Sequence, residues 1–434
     1  MQIRQRFTAA GFKLFSHINN GAASKVLDEL AGQYEQGLKD NTEQNLEKII
    51  AHAIETTSFY SDYRGVSGID QLPVISKDMI KKHYDRFLSN AINKKSLKAV
   101  NTSGSYGAPM VYLLDKQKST RRSLEMVYYN GWANYQVGMK HVFNNSLGRK
   151  SLLSKLFQNA FTYSFINAED QWCPDLRRIL IEDKVSFYVG FASALETFAR
   201  YCQQQGDHPE LYSLVGMVGT SEPLRQEAAS IAESVFGCPV LSRYASEEFG
   251  VIAQHCPEKK KHHLNSASYF IELLALDKDE PAQKGEIGRV VVTDLYARGM
   301  PLLRYDTGDL AVMAEAECDC GRKGLIFESL EGRLLESLVN EKGKLISGFA
   351  VSSIMLDFTS IDRYQFIQKS KNEFILRLVA EIEVKEEKLI VSRIKEMLGQ
   401  GININVEYCE SIPRLKSGKL PFIINEYLKK TSVC

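Results

Sequence analysis

The feature that most restricts the fold is an alternation of strand-like and helix-like segments that begins near residue 98. Runs rich in β-branched and aromatic residues at 111–114, 240–243 and 289–292 predict strands, and the apolar periodicity of 226–235 predicts a helix. Strands that alternate with helices favour an α/β architecture, in which helices cover the faces of β-sheets. We therefore predict an α/β fold for the larger part of the chain.

The last hundred or so residues predict a second, smaller unit. Segments 374–379 and 402–408 have strand character, and 385–398 has the apolar spacing of an amphipathic helix. A unit of roughly 95 residues is large enough to fold around its own core. We therefore predict an N-terminal domain of residues 1–332 and an α+β C-terminal domain of residues 333–434.

Composition excludes several classes of protein. The 434 residues include 54 basic and 53 acidic ones, and a net charge of +1 gives no electrostatic reason to expect a nucleic-acid partner. The sequence has no run of about 18 apolar residues, so no transmembrane segment is predicted. The basic N-terminal segment predicts a packing helix, with a membrane-surface helix as the alternative. Eight cysteines lack the density of a disulfide-rich chain, so we expect a reducing cytoplasm.

The segment NTSGSYGAP at 101–109 has the chemistry of a phosphate-binding loop. Thr102, Ser103 and Ser105 supply hydroxyl groups, and Gly104 and Gly107 let the backbone approach a ligand closely. Such a loop can surround phosphate oxygens with N–H and O–H donors. It lacks the lysine of the GxxxxGK[ST] loop, and a plain surface turn is the alternative interpretation.

Three further segments carry charged residues that suit nucleotide chemistry. In SRYASEEFG at 242–250, Glu247 follows a predicted strand, where a carboxylate can hold a Mg²⁺ ion that bridges phosphates. In PLLRYDTGD at 301–309, Asp309 follows a predicted Thr-Gly turn and could accept hydrogen bonds from both ribose hydroxyls. In IPRLKSGKLPF at 412–422, Lys419 could neutralise charge on a phosphorus. Taken singly, each segment also fits a solvated turn.

Taken together and in this order, these segments resemble the adenylate-forming superfamily of acyl-CoA synthetases, adenylation domains and luciferases. The resemblance extends over nearly the whole chain, through segments 102–109, 243–247, 305–309, 332–336 and 413–419. The N-terminal segments 52–63 and 72–80 are similar to the branch of phenylacetate–CoA ligases and coenzyme F390 synthetases, and most of all to its capsular-polysaccharide-associated, CapK-like members.

The resemblance implies a large N-terminal domain with several helix-covered β-sheets and a small, mobile α+β C-terminal domain. It also implies ATP and Mg²⁺ as cofactors and a carboxylic acid as the substrate. The implied phosphate ligands are Thr102, Ser103, Gly104, Ser105 and Gly107; Thr220, Ser221 and Glu222 lie beside adenine; Ser246 and Glu247 serve magnesium and phosphates; Asp309 binds the ribose; and Arg333 contacts the nucleotide from the hinge side. Lys419 and Glu247 are the implied catalytic residues, with Lys419 on the acyl carboxylate and the α-phosphate.

Four departures from the family pattern are visible. Tyr106 stands where threonine is usual, and Met110 replaces the trailing lysine or threonine of the loop. Tyr244 lies one place later than the usual tyrosine, and the hinge has Leu335 and Glu336 where two acids are common. The loop departures predict slower or altered phosphate handling.

Several products are compatible with these motifs. Acyl transfer to coenzyme A is favoured, and an amine or hydroxyl acceptor in polysaccharide biosynthesis is the first alternative. Direct adenylylation of a hydroxyl and a nucleotide-binding protein without turnover are the others. The acid is expected to be aromatic or medium-length and hydrophobic. The aromatic residues considered for its pocket, each of which also fits a core, are Tyr128, Tyr129, Trp132, Tyr188 and Phe191.

Two pairs of metal-binding side chains suggest a structural zinc site. Cys256 and His263 form a C-x6-H pair, and Cys318 and Cys320 form a C-x-C pair. Three thiolates and one imidazole suit tetrahedral zinc, although free cysteines and a surface histidine fit the spacing equally well. Some members of the resembled branch carry such an arrangement with bound zinc, which favours the metal site. His255 and His262 are competing ligands.

Overall fold

The computed structural model describes residues 22–37, 40–66, 68–101, 110–144, 160–163, 172–333, 337–346, 348–355, 357–358, 361, 363–380, 385–412 and 421–431. Within these ranges, none of the helices combines the length and the apolar character that crossing a bilayer requires.

The helices and strands of these ranges are numbered here in chain order. The helices are α1 (Ala22–Glu35), α2 (Asp40–Thr56), α3 (Lys77–Lys82), α4 (Lys116–Gly131), α5 (Trp172–Glu182), α6 (Ala192–Gln204), α7 (Gln226–Phe236), α8 (Gly348–Met355), α9 (Glu387–Leu398) and α10 (Glu426–Thr431). The strands are β1 (Lys98–Asn101), β2 (Val111–Leu114), β3 (His141–Asn144), β4 (Ala160–Tyr163), β5 (Phe187–Phe191), β6 (Gly216–Thr220), β7 (Val240–Ser246), β8 (Gly250–His255), β9 (His262–Leu264), β10 (Tyr269–Leu274), β11 (Ile287–Asp294), β12 (Tyr305–Met313), β13 (Ile326–Arg333), β14 (Leu338–Val339), β15 (Leu345–Ile346), β16 (Arg363–Gln368), β17 (Glu373–Val379), β18 (Asn403–Tyr408) and β19 (Ile423–Asn425).

The largest sheet contains eleven of the described strands, in the order β10-β11-β12-β13-β9-β8-β7-β6-β5-β3-β4. Strands β3 to β7 run parallel to their neighbours. From β7 to β8 and onward to β10, each pair is antiparallel. The strand direction therefore changes at β7, whose carboxyl end carries Ser246.

The parallel half of the sheet forms because its strands are apolar on both faces. All five residues of β5 are buried, as is typical of a parallel strand that is covered on both sides. Helices α5, α6 and α7 bury Leu176, Phe198 and Phe236 against one face of these strands. The carboxyl ends of β5, β6 and β7 consequently meet at one edge, where α/β sheets usually bind ligands.

The antiparallel half packs against the N-terminal helices. Ile49 and Ala53 of α2 share a core with Val290 and Val292 of β11 and with Phe327 of β13. A separate antiparallel hairpin, β1–β2, brackets residues 102–109 and pairs Asn101 with Val111. The segment predicted to bind phosphates therefore connects two strands that are paired at its ends, although the segment itself lies outside the described residues.

The C-terminal residues have a sheet and a core of their own. Strands β18, β17, β16 and β19 lie in that order, and α9 buries Ile390 and Ile394 against them. A buried polar cluster joins the start of this unit to its last strand. Asn425 donates to the Ser337 carbonyl oxygen at 2.6 Å and to Gln368 Oε1 at 2.8 Å.

The predicted α/β class and the smaller C-terminal α+β unit are confirmed. Each strand and helix predicted above lies within two residues of an observed one, except that β7 extends to Ser246. Helices α1 and α2 are separated after Gln36, where Gly37 has a φ of +74° that a helix cannot accommodate. The predicted Thr-Gly turn before Asp309 is wrong, because that residue lies inside the continuous strand β12.

Candidate active site

Asp309 lies at an irregularity where β12 pairs with β11. Residues 307–309 lie opposite Val290 alone, so the strand bulges, and Gly308 has a φ of +73°. The Thr307 hydroxyl donates to the Val290 carbonyl oxygen at 2.9 Å and accepts from the Asp309 N–H at 3.1 Å. The Thr-Gly pair thus shapes a bulge that sets the direction of the Asp309 side chain.

Tyr244 joins this bulge to the strand that leads to Glu247. Its hydroxyl donates to Asp309 Oδ2 at 2.7 Å, with Thr307 Oγ1 at 3.3 Å. Three strands separate β7 from β12 in the sheet order, so a side chain of β7 reaches β12 only because the sheet curls. The curl brings the predicted magnesium and ribose segments to one region of the molecule.

The turn after β7 carries Ser246 and Glu247 and is held from behind by α4. Arg122 donates to the Glu247 carbonyl oxygen at 2.9 Å, and its guanidinium lies 3.6 Å from Glu247 Oε2. Ser246 Oγ accepts from the Phe249 N–H at 3.3 Å and closes the turn. The Glu247 side chain is 49% exposed, so its carboxylate remains open to solvent and to a ligand.

The residue before Tyr244 faces the opposite side of the sheet. Arg243 is buried and donates to Gln254 Oε1 at 2.8 Å and to Asn130 Oδ1 at 2.7 Å. Burial lowers the pKa of Arg243 to about 9, so the guanidinium is still charged at neutral pH. Because neighbouring residues of a strand point to opposite faces, the one-place shift of the tyrosine determines which side chain reaches Asp309.

Thr220, Ser221 and Glu222 follow β6 at the same edge of the sheet. Thr220 pairs with Arg243 in the ladder and its hydroxyl lies 3.4 Å from the Arg243 carbonyl oxygen. Ser221 has a φ of +69°, which is uncommon for a residue with a side chain. Glu222 Oε2 accepts from the Ser193 N–H at 3.0 Å, so this carboxylate caps the first turn of α6.

Several predicted site residues lie outside the described part of the chain. Thr102, Ser103, Gly104, Ser105, Gly107 and Lys419 are among them, and their assignments stay predictions. Arg333 is described only through its backbone, which pairs with Asp309 in the β12–β13 ladder. Met110, at the end of the phosphate segment, is buried, and its thioether carries no charge that could act on a ligand.

Cys256, His263, Cys318 and Cys320 converge, and their ligand atoms all lie within 4.8 Å of one another. The sulfurs of Cys256 and Cys318 are 3.9 Å apart, and Cys320 Sγ is 3.3 Å from His263 Nε2. Tetrahedral zinc with bonds of about 2.3 Å to sulfur separates two thiolates by roughly 3.8 Å. The four side chains therefore have the chemistry and the spacing that zinc requires.

The pKa shifts at this cluster favour metal ligation at His263 and Cys320, whereas burial raises the pKa of Cys318 to about 12. Burial, followed by the charge of Arg322, lowers the pKa of His263 to about 4, which keeps the imidazole neutral. Burial alone would raise the pKa of Cys320, but hydrogen bonds, first of all from Arg322, lower it below the ordinary cysteine value. The competing His262 instead faces Ser242, with Nε2 at 3.2 Å from Oγ.

Most of the aromatic residues considered for an acid pocket belong to the core. Tyr129 and Trp132 pack with Tyr34 of α1, and Trp132 also contacts the His263 ring at 6.0 Å. This aromatic group therefore fastens α1 beside the cysteine and histidine cluster. Phe191 also belongs to a core, the one around α5, α6 and α7, but it lies at the carboxyl edge of the parallel strands, where it pairs with Thr220.

Two interactions at the site were not anticipated from the sequence. The contact of Arg122 with the Glu247 turn depends on how α4 packs behind β7, and no local pattern signals it. The displaced position of Tyr244 was visible in the sequence, but its bond to Asp309 depends on the curl of the sheet.

Comparisons with known proteins show what this chain is similar to. A family model described as the CapK C-terminal domain matches residues 338–426. Protein CapK of Staphylococcus aureus is 26% identical over 379 residues, which cover 83% of this chain and 81% of that protein. A phenylacetate-coenzyme A ligase of Thermus thermophilus is 25% identical over 325 residues, which cover 68% of this chain and 70% of that ligase.

Solved structures share the fold at lower identity. A 2-hydroxyisobutyryl-CoA ligase in the postadenylation state, in complex with R3-HIB-AMP, has a TM-score of 0.72 at 14% identity, and the match covers 93% of each chain. ATP-bound MatB from Rhodopseudomonas palustris has a TM-score of 0.56 at 15% identity and covers 76% of this chain and 68% of that one. Residues 338–426 therefore match the CapK C-terminal domain, the chain over most of its length is similar in sequence to protein CapK and to phenylacetate–CoA ligases, and it shares its fold with acyl-CoA ligases.

Proposed function

We propose that this protein uses ATP to convert a carboxylic acid into an acyl-adenylate, releases pyrophosphate, and transfers the acyl group to a second substrate. The observation that supports this proposal most directly is the hydrogen bond that brings Asp309 into the same region as the Glu247 turn. A ribose ligand and a phosphate-side ligand are then available to a single nucleotide, which is the arrangement that adenylate formation needs.

In the proposed complex, each segment binds one part of ATP. Asp309 accepts hydrogen bonds from the ribose hydroxyls, and the segment Thr220–Ser221–Glu222 borders the adenine. The loop 102–109 surrounds the phosphates with hydroxyl and backbone donors. Glu247 and Ser246 would hold Mg²⁺ together with the phosphates, and the ion would supply charge neutralisation at the departing pyrophosphate. Arg333 would contact the nucleotide from the hinge side.

The proposed first half-reaction is attack of the substrate carboxylate on the α-phosphorus. An oxygen–phosphorus bond forms, the bond to the pyrophosphate oxygen breaks, and the products are acyl-AMP and pyrophosphate. Lys419 neutralises the charge that grows on the α-phosphate and the acyl carboxylate. We propose that domain 333–434 then rotates about residues 332–336, withdraws Lys419 and admits the acceptor.

Coenzyme A is the proposed acceptor, because the phenylacetate-coenzyme A ligase relative and the structural neighbours are named for thioester formation. In that step the thiol attacks the acyl carbonyl carbon, a thioester forms and AMP leaves. An amine or hydroxyl acceptor in polysaccharide biosynthesis is the second candidate. It is supported by the similarity to protein CapK, which extends to the C-terminal domain model.

Pyrophosphate release tests the proposal. Supplying ATP, Mg²⁺ and a panel of aromatic and medium-length acids should give acid-dependent pyrophosphate, and Asp309→Ala should abolish it at ordinary ATP concentrations. Adding coenzyme A should yield an acyl thioester with the productive acid. If pyrophosphate forms but no thioester does, the acceptor assignment moves to an amine or hydroxyl. If no acid releases pyrophosphate, adenylate formation itself is wrong.

We also propose that Cys256, His263, Cys318 and Cys320 bind a structural zinc ion. The cluster joins the start of β9 to the loop between β12 and β13, so the metal would fasten the two regions that carry Glu247 and Asp309. Metal analysis of the purified protein should find one zinc per chain, and Cys318→Ser should lose it. A metal content far below one per chain in protein purified without chelator would contradict this assignment.

A cytoplasmic location stays a prediction.

A further inference from the structure

We propose that Tyr244 is a ribose-positioning residue: its hydroxyl orients the Asp309 carboxylate so that both ribose hydroxyls of ATP can donate to it. This inference rests on the proposed function, and it concerns a position at which this chain departs from its family pattern. Tyr244 lies one place later in the sequence than the usual tyrosine of the motif.

The geometry identifies the acceptor to which the Tyr244 hydroxyl donates its hydrogen bond. The Thr307 hydroxyl already donates to the Val290 carbonyl oxygen at 2.9 Å, so toward Tyr244 it can only accept. Asp309 Oδ2 and Thr307 Oγ1 can therefore both accept the Tyr244 proton, and the shorter distance of 2.7 Å against 3.3 Å, together with the negative charge of the carboxylate, directs it at Asp309. A short O–H···O⁻ bond of this kind is charge-assisted and is among the stronger hydrogen bonds in proteins.

The two sides of this bond belong to separate parts of the sheet. Tyr244 comes from β7, three residues before Glu247, whereas Asp309 comes from the bulge of β12. The Tyr244 ring also lies 6.4 Å from the Phe327 ring of β13, which limits its rotation. A ring that is held in this way fixes the phenol oxygen, and the phenol fixes the rotation of the carboxylate.

A carboxylate that binds a ribose needs both oxygens aimed at the sugar at once. A carboxylate that can rotate about its last torsion must be ordered when it binds two hydroxyls, and a hydrogen bond that already restrains it lowers that cost. Tyr244 would remove that cost before ATP arrives. Its contribution should therefore appear only with nucleotides that carry the ribose hydroxyls.

The test compares Tyr244→Phe with the wild type for ATP and for 2′,3′-dideoxyATP, with equilibrium dissociation constants from calorimetry. We expect Tyr244→Phe to weaken ATP binding about tenfold and dideoxyATP binding less than twofold, because a hydrogen bond to a charged group contributes roughly that much. The kcat of pyrophosphate release should change less than the KM for ATP. Asp309→Asn and the double variant should weaken ATP binding by nearly the same factor, since the two groups act as a unit.

A matched control is available in the same chain. Tyr212 donates its hydroxyl to Asp207 Oδ2 and packs against Phe236 of α7. Tyr212→Phe therefore removes the same kind of bond and should leave the dissociation constants of both nucleotides unchanged.

Two results would overturn the inference. Equal weakening of ATP and dideoxyATP by Tyr244→Phe would make Tyr244 a general structural residue, and unchanged binding of both would give it no role. A wild-type protein that binds ATP but releases no pyrophosphate would contradict the proposed function and leave this inference standing. A wild-type protein that binds no ATP would contradict both.

Discussion

Arg122 lies behind the turn that carries Glu247 and donates to the Glu247 carbonyl oxygen at 2.9 Å. The same guanidinium is 3.6 Å from Glu247 Oε2, so one side chain of α4 contacts both the backbone and the carboxylate of the proposed magnesium ligand. The loop 102–109 has no lysine, so Arg122 is a cation beside the Glu247 turn that the sequence motifs do not include.

We expect Arg122→Ala to lower the kcat of pyrophosphate release about tenfold and to raise the Mg²⁺ concentration that gives half-maximal rate. The physical reason is that the turn loses its anchor and Glu247 no longer presents a fixed carboxylate to the ion. Steady-state rates over a Mg²⁺ titration measure both effects.

The control for Arg122 is Arg200→Ala. Arg200 pairs with Glu196 and Glu227 on the exposed side of α6, where ion pairs contribute little to stability. It should therefore leave the Mg²⁺ dependence unchanged. An Arg122→Ala variant with the wild-type rate and Mg²⁺ dependence would remove Arg122 from the site.

Gly250 follows the Glu247 turn, and two features of its position disfavour a residue with a side chain. Its φ is +106°, and a Cβ atom there would lie 3.1 Å from both Arg122 Cγ and Glu125 Oε2. We expect Gly250→Ala to lower the free energy of unfolding by about 2 kcal/mol through backbone strain and crowding. Gly65→Ala serves as the comparison, because Gly65 has a φ of +92° and open space around it, and it should cost about 1 kcal/mol. Urea denaturation measures both, and equal losses would show that crowding by α4 contributes nothing.

The cysteine and histidine cluster predicts a metal-dependent stability. Removing the ion with a strong chelator, or making Cys318→Ser, should lower the melting temperature by several degrees, because ligands assembled by the fold bind zinc more tightly than the unfolded chain does. Adding zinc back should restore the wild type but not the variant. Cys409→Ser is the control, since Cys409 lies in the C-terminal unit and contacts the Leu378 carbonyl oxygen. A melting temperature that is insensitive to chelation would contradict the assignment.

Asp207, shortly after the end of α6, predicts a pH-dependent contribution to the free energy of unfolding. Burial alone would raise the pKa of Asp207, but hydrogen bonds from Arg177 and Tyr212 outweigh burial and hold the pKa below the ordinary aspartate value. A carboxylate whose pKa is lower in the folded state stabilises the protein at pH values above its unfolded-state pKa of about 3.9. This stabilisation is lost as the pH falls through the folded-state pKa.

We therefore expect Asp207→Asn to reduce the free energy of unfolding by about 2 kcal/mol at pH values near 7. The difference from the wild type should shrink as the pH is lowered below about 4. Unfolding of both proteins over a pH series measures this, and a difference that is independent of pH would show that the Asp207 carboxylate carries no such linkage.

Local sequence patterns predicted those parts of the site that depend on local chemistry. Glu247 follows a strand and Asp309 follows a Thr-Gly pair, as the sequence indicated, and the roles of both side chains stay predictions. The Thr-Gly pair nevertheless forms a bulge within β12 and not a turn, because β11 and β13 pair with the strand on both sides. Periodicity over a few residues cannot reveal such pairing with distant strands.

Tertiary contacts account for what the sequence did not predict. Tyr129 and Trp132 are of residue types that often line ligand pockets. They pack instead against Tyr34, which lies about a hundred residues earlier in the chain. The convergence of Cys256 and His263 with the C-x-C pair required β9 and β13 to be neighbours, which spacing alone left open. The bond between Tyr244 and Asp309 likewise requires the sheet to curl.

In the proposed reaction, a carboxylate oxygen attacks the α-phosphorus of ATP. A mixed library of carboxylic acids labelled with a heavy oxygen isotope, supplied with ATP, Mg²⁺ and hydroxylamine as acceptor, tests this step by mass spectrometry of the AMP. We expect AMP that carries one labelled oxygen, together with the hydroxamate of one acid. Unlabelled AMP, or ADP and phosphate with no labelled AMP, would contradict it.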